Sequence, residues 1–358
     1  MKPEQKRYLE LLRSGLWEKP SPCGVDAQVY SIAVGQSTTA LVCRDSEDEQ
    51  CQEEVMRVMW SHGKLNAVIA ALTDILSSKG IDCVLLKGQG CAANYLNPLY
   101  RNCGDIDLYV GKEEYDDAVT AISAHGGSFS ECERHLQLRY KGVVVEIHRD
   151  CMDTYGEIRK RTFLSLEKEG LYGNLPTLDL DGCTVRVPEE NFNAVYILYH
   201  MVHHLVYGGI GFRQLCDWTM FLHAHKDTVD RDRVYGILKR MHMLDTWQLF
   251  GYMAVNTLGL PEDEMPFYSA APASRAQQVL ELIFERGNFG RASEDDTQKK
   301  IAGRSTFIGR KSYAMALYVK DYFHKRALIP DLMPVWALFY MLGIGFGSTF
   351  SKIVDKRK

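Results

Sequence analysis

The 358-residue chain lacks the local patterns that define several common protein classes. Its ten cysteines include no C-x-x-C pair, which excludes a zinc ribbon and argues against a disulfide scaffold. A net charge of -4 provides no overall basic surface for nucleic acid. The chain begins with a charged, amphipathic stretch and no apolar signal core, so we expect a cytoplasmic protein.

Hydrophobic spacing divides the chain into three regions. Helical periodicity runs over residues 55–76. Short apolar segments then predict strands over residues 82–86 and 106–110, and alternation over 135–148 predicts a hairpin. From residue 188 onward the spacing is helical again.

These patterns predict an α+β fold, in which a small mixed β-sheet core lies between a helical N-terminal region and a large helical C-terminal half. We place the three regions at residues 1–80, 81–188 and 189–358. Within the segment 332–358, residues 332–350 are nearly apolar enough to span a membrane, but a proline, glycines and a serine interrupt them. A helix docked on the fold is favoured, and its basic end leaves peripheral membrane contact open.

Two aspartates lie two residues apart on a predicted strand, in Gly104-Asp105-Ile106-Asp107-Leu108. Because side chains alternate along a strand, both carboxylates project from one face. Such a pair suits one or two Mg²⁺ ions, with Mn²⁺ as the alternative, since hard cations take oxygen ligands. An alternating D-x-D is also common on solvated strand faces, so this pair alone leaves both interpretations open.

A glycine-rich turn precedes that strand, in Leu85-Leu86-Lys87-Gly88-Gln89-Gly90. The turn leads from a predicted strand into a helix, where backbone N–H groups can receive a phosphate. Lys87 adds a point charge, whereas the spacing excludes a Walker A loop and a G-x-G-x-x-G motif. The alternative is a plain strand-to-helix turn with a solvated lysine.

A third segment, Val143-Val144-Val145-Glu146-Ile147-His148, carries an acid within an apolar strand. Glu146 and His148 point to the same side of the strand. A carboxylate in such a strand either faces solvent or serves a charge-matched partner. The strand alone favours neither interpretation.

In this order, the three segments resemble the nucleotidyltransferase fold of the DNA polymerase beta superfamily. That fold has a glycine motif at the end of its first strand, two aspartates on the next strand and a third carboxylate on a later one. The chain is more similar to one family within it, the uncharacterised nucleotidyltransferases often found beside bacterial polysaccharide-biosynthesis genes. Residues 11–17 and 212–218 fit that family too. The chain departs from the superfamily pattern at Gln89, where Ser or a second Gly is usual.

The resemblance implies an Mg²⁺-dependent enzyme that moves an NMP from an NTP, with ATP as the first candidate. The acceptor would be an unknown hydroxyl of a small molecule, sugar or protein. Asp105, Asp107 and Glu146 would be catalytic and hold two metal ions, and Glu146 would take the proton of the acceptor. The nucleotide would be bound by Lys87, Gly88 and Gln89.

Three histidines, His200, His203 and His204, share one face of a predicted helix. Their spacing suggests zinc, but no H-E-x-x-H motif and no nearby cysteine completes a site. A second interpretation places His204 with Arg213 over the nucleotide phosphates, and a third makes them ordinary core histidines. Arg213 and Asp217 are four residues apart, which predicts an ion pair within one helix.

Two alternatives to an active nucleotidyltransferase stay open. A nucleotide-binding or regulatory module would keep the fold without turnover, and Gln89 favours it. A glycosyltransferase would use the D-x-D to hold a nucleotide-sugar, but this chain is mainly helical where that fold alternates strands and helices. Three unpaired acids favour the enzyme, because an inert site gives no reason to keep them together. Asp105→Asn and Asp107→Asn are each expected to abolish metal-dependent NTP turnover. Because neighbouring carboxylates repel each other, removing one of them is expected to leave the fold intact.

Overall fold

The computed structural model describes residues 1–131, 136–151, 157–288 and 307–333. The helices are α1 (Pro3–Leu16), α2 (Ala27–Gln36), α3 (Thr39–Cys43), α4 (Glu49–Ser77), α5 (Gln89–Ala92), α6 (Tyr115–Ala124), α7 (Glu157–Leu171), α8 (Glu190–Tyr207), α9 (Phe212–Ala224), α10 (Arg231–Met241), α11 (Leu244–Met253), α12 (Ala273–Arg286) and α13 (Phe307–Leu328). The strands are β1 (Val84–Leu85), β2 (Asp105–Tyr109), β3 (Ser128–Glu131), β4 (Leu136–Tyr140), β5 (Val143–His148), β6 (Thr177–Leu180) and β7 (Cys183–Arg186). The predicted α+β class is confirmed, with a helical region before the sheet in the sequence and another after it.

Capping side chains explain where two N-terminal helices begin. Asp26 accepts hydrogen bonds from the backbone N–H groups of Gln28 and Val29 at the start of α2. Asp48 accepts one from Cys51 at the start of α4. α4 then continues for 29 residues and buries the apolar stripe that predicts it.

The seven strands form one mixed sheet in the order β3-β4-β5-β2-β1-β7-β6. β2 lies in the middle, parallel to β5 and antiparallel to β1. The predicted hairpin corresponds to β4 and β5, which pair antiparallel. β3 and β6 were not predicted, because both are four-residue strands that carry polar residues.

The two faces of the sheet pack against different parts of the chain. Ile106 and Leu108 of β2, with Val145 and Ile147 of β5, join the apolar side chains of α4 and α6 in one core. The alternating residues of β2, of which Tyr109 is one, face the opposite way, into a core shared with the N- and C-terminal helices. The acidic side chains of β2 and β5 therefore lie on the face that looks toward the C-terminal half.

The N-terminal helices are divided between these cores. Tyr8 of α1 packs against Phe212 and Phe284, with ring centroids 5.5 and 5.9 Å apart. Trp17 Nε1 donates a 2.6 Å hydrogen bond to the carbonyl oxygen of Leu258. α1 thus packs on the C-terminal helices and α4 on the sheet; the boundaries predicted near residues 80 and 188 stay predictions.

None of the helices in the described ranges is long and apolar enough to cross a membrane. From residue 334 onward, the apolar C-terminal segment lies outside the described residues. The predictions of a docked helix and of peripheral membrane contact for 332–358 therefore stay predictions.

Candidate active site

Strand register brings an aspartate and a glutamate side by side. β2 and β5 run parallel, with Asp107 opposite Glu146 and Tyr109 opposite His148. Opposite residues share a face of the sheet, as do residues two apart, so Glu146 and His148 both lie beside Asp107. One ligand atom from each of Asp107, Glu146 and His148 lies within 4.8 Å of the others. Asp107 is only 2 % exposed, so this cluster reaches into the protein interior.

Two nitrogen donors hold Asp107. Lys87 Nζ lies 3.0 Å, and His148 Nε2 2.9 Å, from the same carboxylate oxygen, Oδ1. His148 Nε2 is also 3.6 Å from Glu146 Oε2. Burial acts to raise the pKa of Asp107, but Lys87 and His148 outweigh it and hold that pKa far below its usual range. Asp107 is thus an ionised and paired carboxylate, which corrects the expectation of three unpaired acids.

Asp105 stands apart from this three-residue cluster. Its partner in the β2–β5 register is Val144, whereas Asp107 faces Glu146. Two residues along a strand span about 6.6 Å, so Asp105 is one repeat away from the cluster. Its negative charge nevertheless acts on Lys87 and helps to raise the pKa of that lysine. Asp105 therefore lies on the same face of the sheet as Asp107, outside the three-residue cluster, and its charge still acts on the Lys87 ammonium.

The glycine turn places Lys87 against Asp107. The backbone N–H of Leu86 donates to the carbonyl oxygen of Asp107 at 3.0 Å, which fixes the end of β1 beside β2. Gly88 has φ +62°, and a Cβ there would lie 3.1 Å from the carbonyl oxygen of Asp105. A side chain at this position is therefore disfavoured by both backbone strain and contact.

Gln89 contacts α4 and not the carboxylates. Its Nε2 donates to Asn66 Oδ1 at 2.5 Å and lies 3.1 Å from His62 Nδ1. His62 Nε2 in turn donates to the carbonyl oxygen of Arg101 at 2.8 Å. The side chain that departs from the superfamily pattern thus anchors the turn to α4 and leaves Lys87 facing the acids.

One of the three histidines contacts Lys87, and a second contacts that histidine. Lys87 Nζ donates to His200 Nε2 at 2.9 Å, and His204 Nε2 lies 3.1 Å from His200 Nε2. Burial, followed by the charge of Lys87, lowers the pKa of His200 well below its usual value and that of His204 to about 3. Both rings are therefore neutral near pH 7. Within the described residues, neither they nor His203 join the cluster of potential metal ligands.

In place of the predicted Arg213–Asp217 ion pair, each of these two residues contacts other partners. Asp217 accepts a bidentate pair of 2.7 Å hydrogen bonds from Arg101 and another 2.7 Å bond from Tyr95 Oη. Arg213 Nη1 donates to the carbonyl oxygen of Asn102 at 3.2 Å. The guanidinium of Arg101 is buried and therefore requires a buried counter-charge, which Asp217 provides. Arg213 is thereby placed beside the segment that leads into β2.

The arrangement fits a divalent cation. Asp107 and Glu146 offer carboxylate oxygens, which suit Mg²⁺ and Mn²⁺, and His148 adds an imidazole nitrogen. Sequence reasoning did not assign a role to His148 or pair His200 with Lys87. The signal for His148 was present in the alternation with Glu146, whereas the contact between Lys87 and His200 spans 113 positions and has no local signature.

The acids on two adjacent parallel strands and the glycine turn beside them are the three segments on which the resemblance to nucleotidyltransferases rests. The chain belongs to the family described as uncharacterised nucleotidyltransferases, whose model matches residues 49–259, more than half of its length. The predicted family is thus confirmed, and with it nucleotidyl transfer as the class of enzyme. The matched range contains the glycine turn, β2, β5, α8 and α9.

Comparison with other known proteins adds little to the family match. No curated protein matches the chain. Among solved structures, it is similar to the antibiotic-resistance factor ANT(2'')-Ia, with 12 % identity, a TM-score of 0.35, and coverage of 49 % of this chain and 89 % of that one. It is also similar to an antigenic nucleotidyltransferase-like protein from Paracoccidioides brasiliensis, with 14 % identity, a TM-score of 0.35, and coverage of 54 % and 92 %.

Proposed function

We propose that the protein transfers an NMP from an NTP to a hydroxyl group, with Mg²⁺ as the metal cofactor and Mn²⁺ as its substitute. The observation that carries this proposal is the register of β2 and β5, which sets the buried Asp107 beside Glu146. Two adjacent carboxylates on rigid strands are suited to a divalent cation and the phosphate oxygens it binds. The family of the chain supports the reaction class.

Asp107 and Glu146 would hold the metal, and Asp105 would serve a second ion further along the same face. When bound, the metal neutralises charge on the α-phosphate and orients the phosphate for in-line attack. Glu146 is suited to take the proton of the acceptor hydroxyl, because its carboxylate is 17 % exposed and can meet an incoming group. The bond from the acceptor oxygen to the α-phosphorus then forms as pyrophosphate leaves.

Positive charge on the helical side would receive the triphosphate. The charges of Lys87 and Arg213 both contribute to the lowered pKa of His204, so both cations act on this neutral ring. Lys87 reaches the site from the glycine turn, and Arg213 from the start of α9. Phosphate groups bind such cations by charge-assisted hydrogen bonds. Lys87, His204 and Arg213 are therefore assigned to the nucleotide, together with the backbone at Gly88.

The departure at Gln89 does not argue for an inactive module. Its side chain is directed at Asn66 and His62 of α4, so it does not fill the space in front of the carboxylates. We assign Gln89 to anchoring the nucleotide-binding turn. ATP is the proposed donor, and the acceptor class stays a hydroxyl of a small molecule, sugar or protein.

The proposal is tested by incubating the protein with each α-³²P-labelled NTP and Mg²⁺, with and without candidate acceptors. Label transfer accompanied by pyrophosphate release is expected, with ATP the preferred donor. Label on the protein itself would identify self-modification. Glu146→Gln is the matched control, because it keeps the side-chain shape and removes the charge.

Tight binding of NTP without release of pyrophosphate under any of these conditions would contradict the proposal. It would support the alternative, a nucleotide-binding module that has lost turnover. If the protein neither binds nor consumes any NTP, both the nucleotidyltransferase and the nucleotide-binding module are excluded.

A further inference from the structure

Lys87 is enclosed between an acid and a neutral base. Its Nζ lies 3.0 Å from Asp107 Oδ1 and 2.9 Å from His200 Nε2. The lysine side chain is 17 % exposed and that of Asp107 only 3 %. Lys87 Nζ and His148 Nε2 both contact Oδ1, so a metal ion bound by this oxygen would take the place of one of these two donors.

The ammonium is charged in this position. An ammonium is the ordinary form of lysine near pH 7, and the Asp107 carboxylate oxygen 3.0 Å from Nζ stabilises it. Two cations at contact distance from one oxygen repel each other, and most strongly where water is scarce. A divalent cation and Lys87 are thus competitors for Asp107.

His200 is a second hydrogen-bond acceptor for the Lys87 ammonium, besides Asp107. Its ring is neutral, so Nε2 accepts a hydrogen bond from the ammonium without charge repulsion. The ring of His204 packs edge-on against that of His200, with centroids 4.5 Å apart, and limits its rotation. The contact with His200 needs no negative charge, so it can persist when Asp107 is taken by a metal.

We propose that Lys87 is a resident cation that the metal must displace from Asp107, and that His200 is the positioning residue that keeps the displaced lysine at the site. In the nucleotide-free protein, Lys87 neutralises Asp107 and weakens metal binding. When metal and NTP arrive together, the triphosphate offers Lys87 a new counter-charge. Metal and nucleotide therefore bind cooperatively; this second half rests on the proposed function, and the competition for Asp107 does not.

The competition is measured by titrating the nucleotide-free protein with Mn²⁺ and following the free ion by electron paramagnetic resonance. Lys87→Met should tighten Mn²⁺ binding by roughly 5- to 150-fold, the usual range for coupled sites. Lys79→Met, an exposed lysine beyond the end of α4, is the control for the same change in net charge and should leave the affinity unchanged. Adding Asp107→Asn to Lys87→Met should remove the gain.

Lys87→Gln, which keeps a hydrogen-bonding side chain, is measured alongside in case Lys87→Met does not fold. Mn²⁺ binding that is unchanged or weaker in the folded Lys87 variants overturns the proposal. The titration needs no nucleotide, so tighter Mn²⁺ binding in a protein that turns over no NTP would refute the proposed function and leave the competition standing.

The cooperative half is tested by calorimetry with a non-hydrolysable ATP analogue at saturating Mg²⁺. The analogue should bind more weakly to Lys87→Met and to His200→Leu, whereas His200→Gln, which retains an acceptor oxygen, should rescue binding. A purely structural role of His200 would lower thermal stability without this rescue. If Lys87→Met binds the analogue with unchanged affinity, the proposal that Lys87 moves from Asp107 to the phosphates is overturned.

Discussion

Asp107→Asn is predicted to destabilise the fold as well as to abolish turnover. The sequence alone predicts no loss of stability, because neighbouring carboxylates repel. In the structure, Asp107 Oδ1 receives both Lys87 Nζ, at 3.0 Å, and His148 Nε2, at 2.9 Å. The amide of asparagine is neutral, so the variant leaves the Lys87 ammonium without its main counter-charge.

The size of the effect follows from burial. Removing one partner of a buried ion pair costs about 3 to 5 kcal/mol, because the other charge is left uncompensated. Lys87 is 17 % exposed and reaches some water, so the lower end, about 3 kcal/mol, is expected. Asp105→Asn removes the same charge from a partly exposed neighbour and should change stability by no more than about 0.5 kcal/mol.

Urea unfolding of the metal-free protein measures both variants. The double variant Lys87→Met with Asp107→Asn should recover stability relative to the sum of the single changes, with a coupling of about 0.5 to 3 kcal/mol. Equal stability of Asp107→Asn and Asp105→Asn, or a stabilised Asp107→Asn, would refute the assignment of Lys87 and Asp107 as a buried pair. Turnover should be lost in both single variants.

Three further predictions follow from the geometry. Gly88→Ala should cost about 1 to 2 kcal/mol of stability and raise the KM for NTP, because φ is +62° and the Cβ approaches the carbonyl oxygen of Asp105; thermal unfolding and steady-state kinetics check it. Asp217→Asn should destabilise by about 3 to 5 kcal/mol by stranding buried Arg101, and calorimetric Mg²⁺ affinity should be unchanged. The pKa of His204 is lowered to about 3, so its contribution to stability is present above pH 6.5 and is lost as the pH falls toward 3. His204→Gln should therefore reduce the slope of unfolding free energy against pH, measured in urea between pH 5 and 6.5, by at most about 1.4 kcal/mol per pH unit.

How much the sequence predicts depends on whether a feature is local. Alternation in β2 and β5 was sufficient to predict that Asp105 and Asp107 share a face and that Glu146 and His148 do. Which acid meets which depends on register between strands about 40 positions apart, and it is this register that pairs Glu146 with Asp107 and leaves Asp105 opposite Val144.

Ion pairing was the least predictable feature of the site. The four-residue spacing of Arg213 and Asp217 predicts a helical pair, but the fully buried guanidinium of Arg101 takes the aspartate in place of the half-buried Arg213. Arg101 lies 116 positions before Asp217 in the chain, so only the packing of α9 on the sheet region brings them together. The same holds for the contact between Lys87 and His200.

The central claim is that Glu146 belongs to the catalytic centre, and Glu146→Gln tests it most directly. The change keeps the shape and removes the charge that binds the ion and takes the proton. ATP affinity should stay within a few-fold, while the single-turnover rate of labelled NMP transfer should fall by roughly two to four orders of magnitude. An unchanged rate in Glu146→Gln would remove Glu146 from the site and contradict the account.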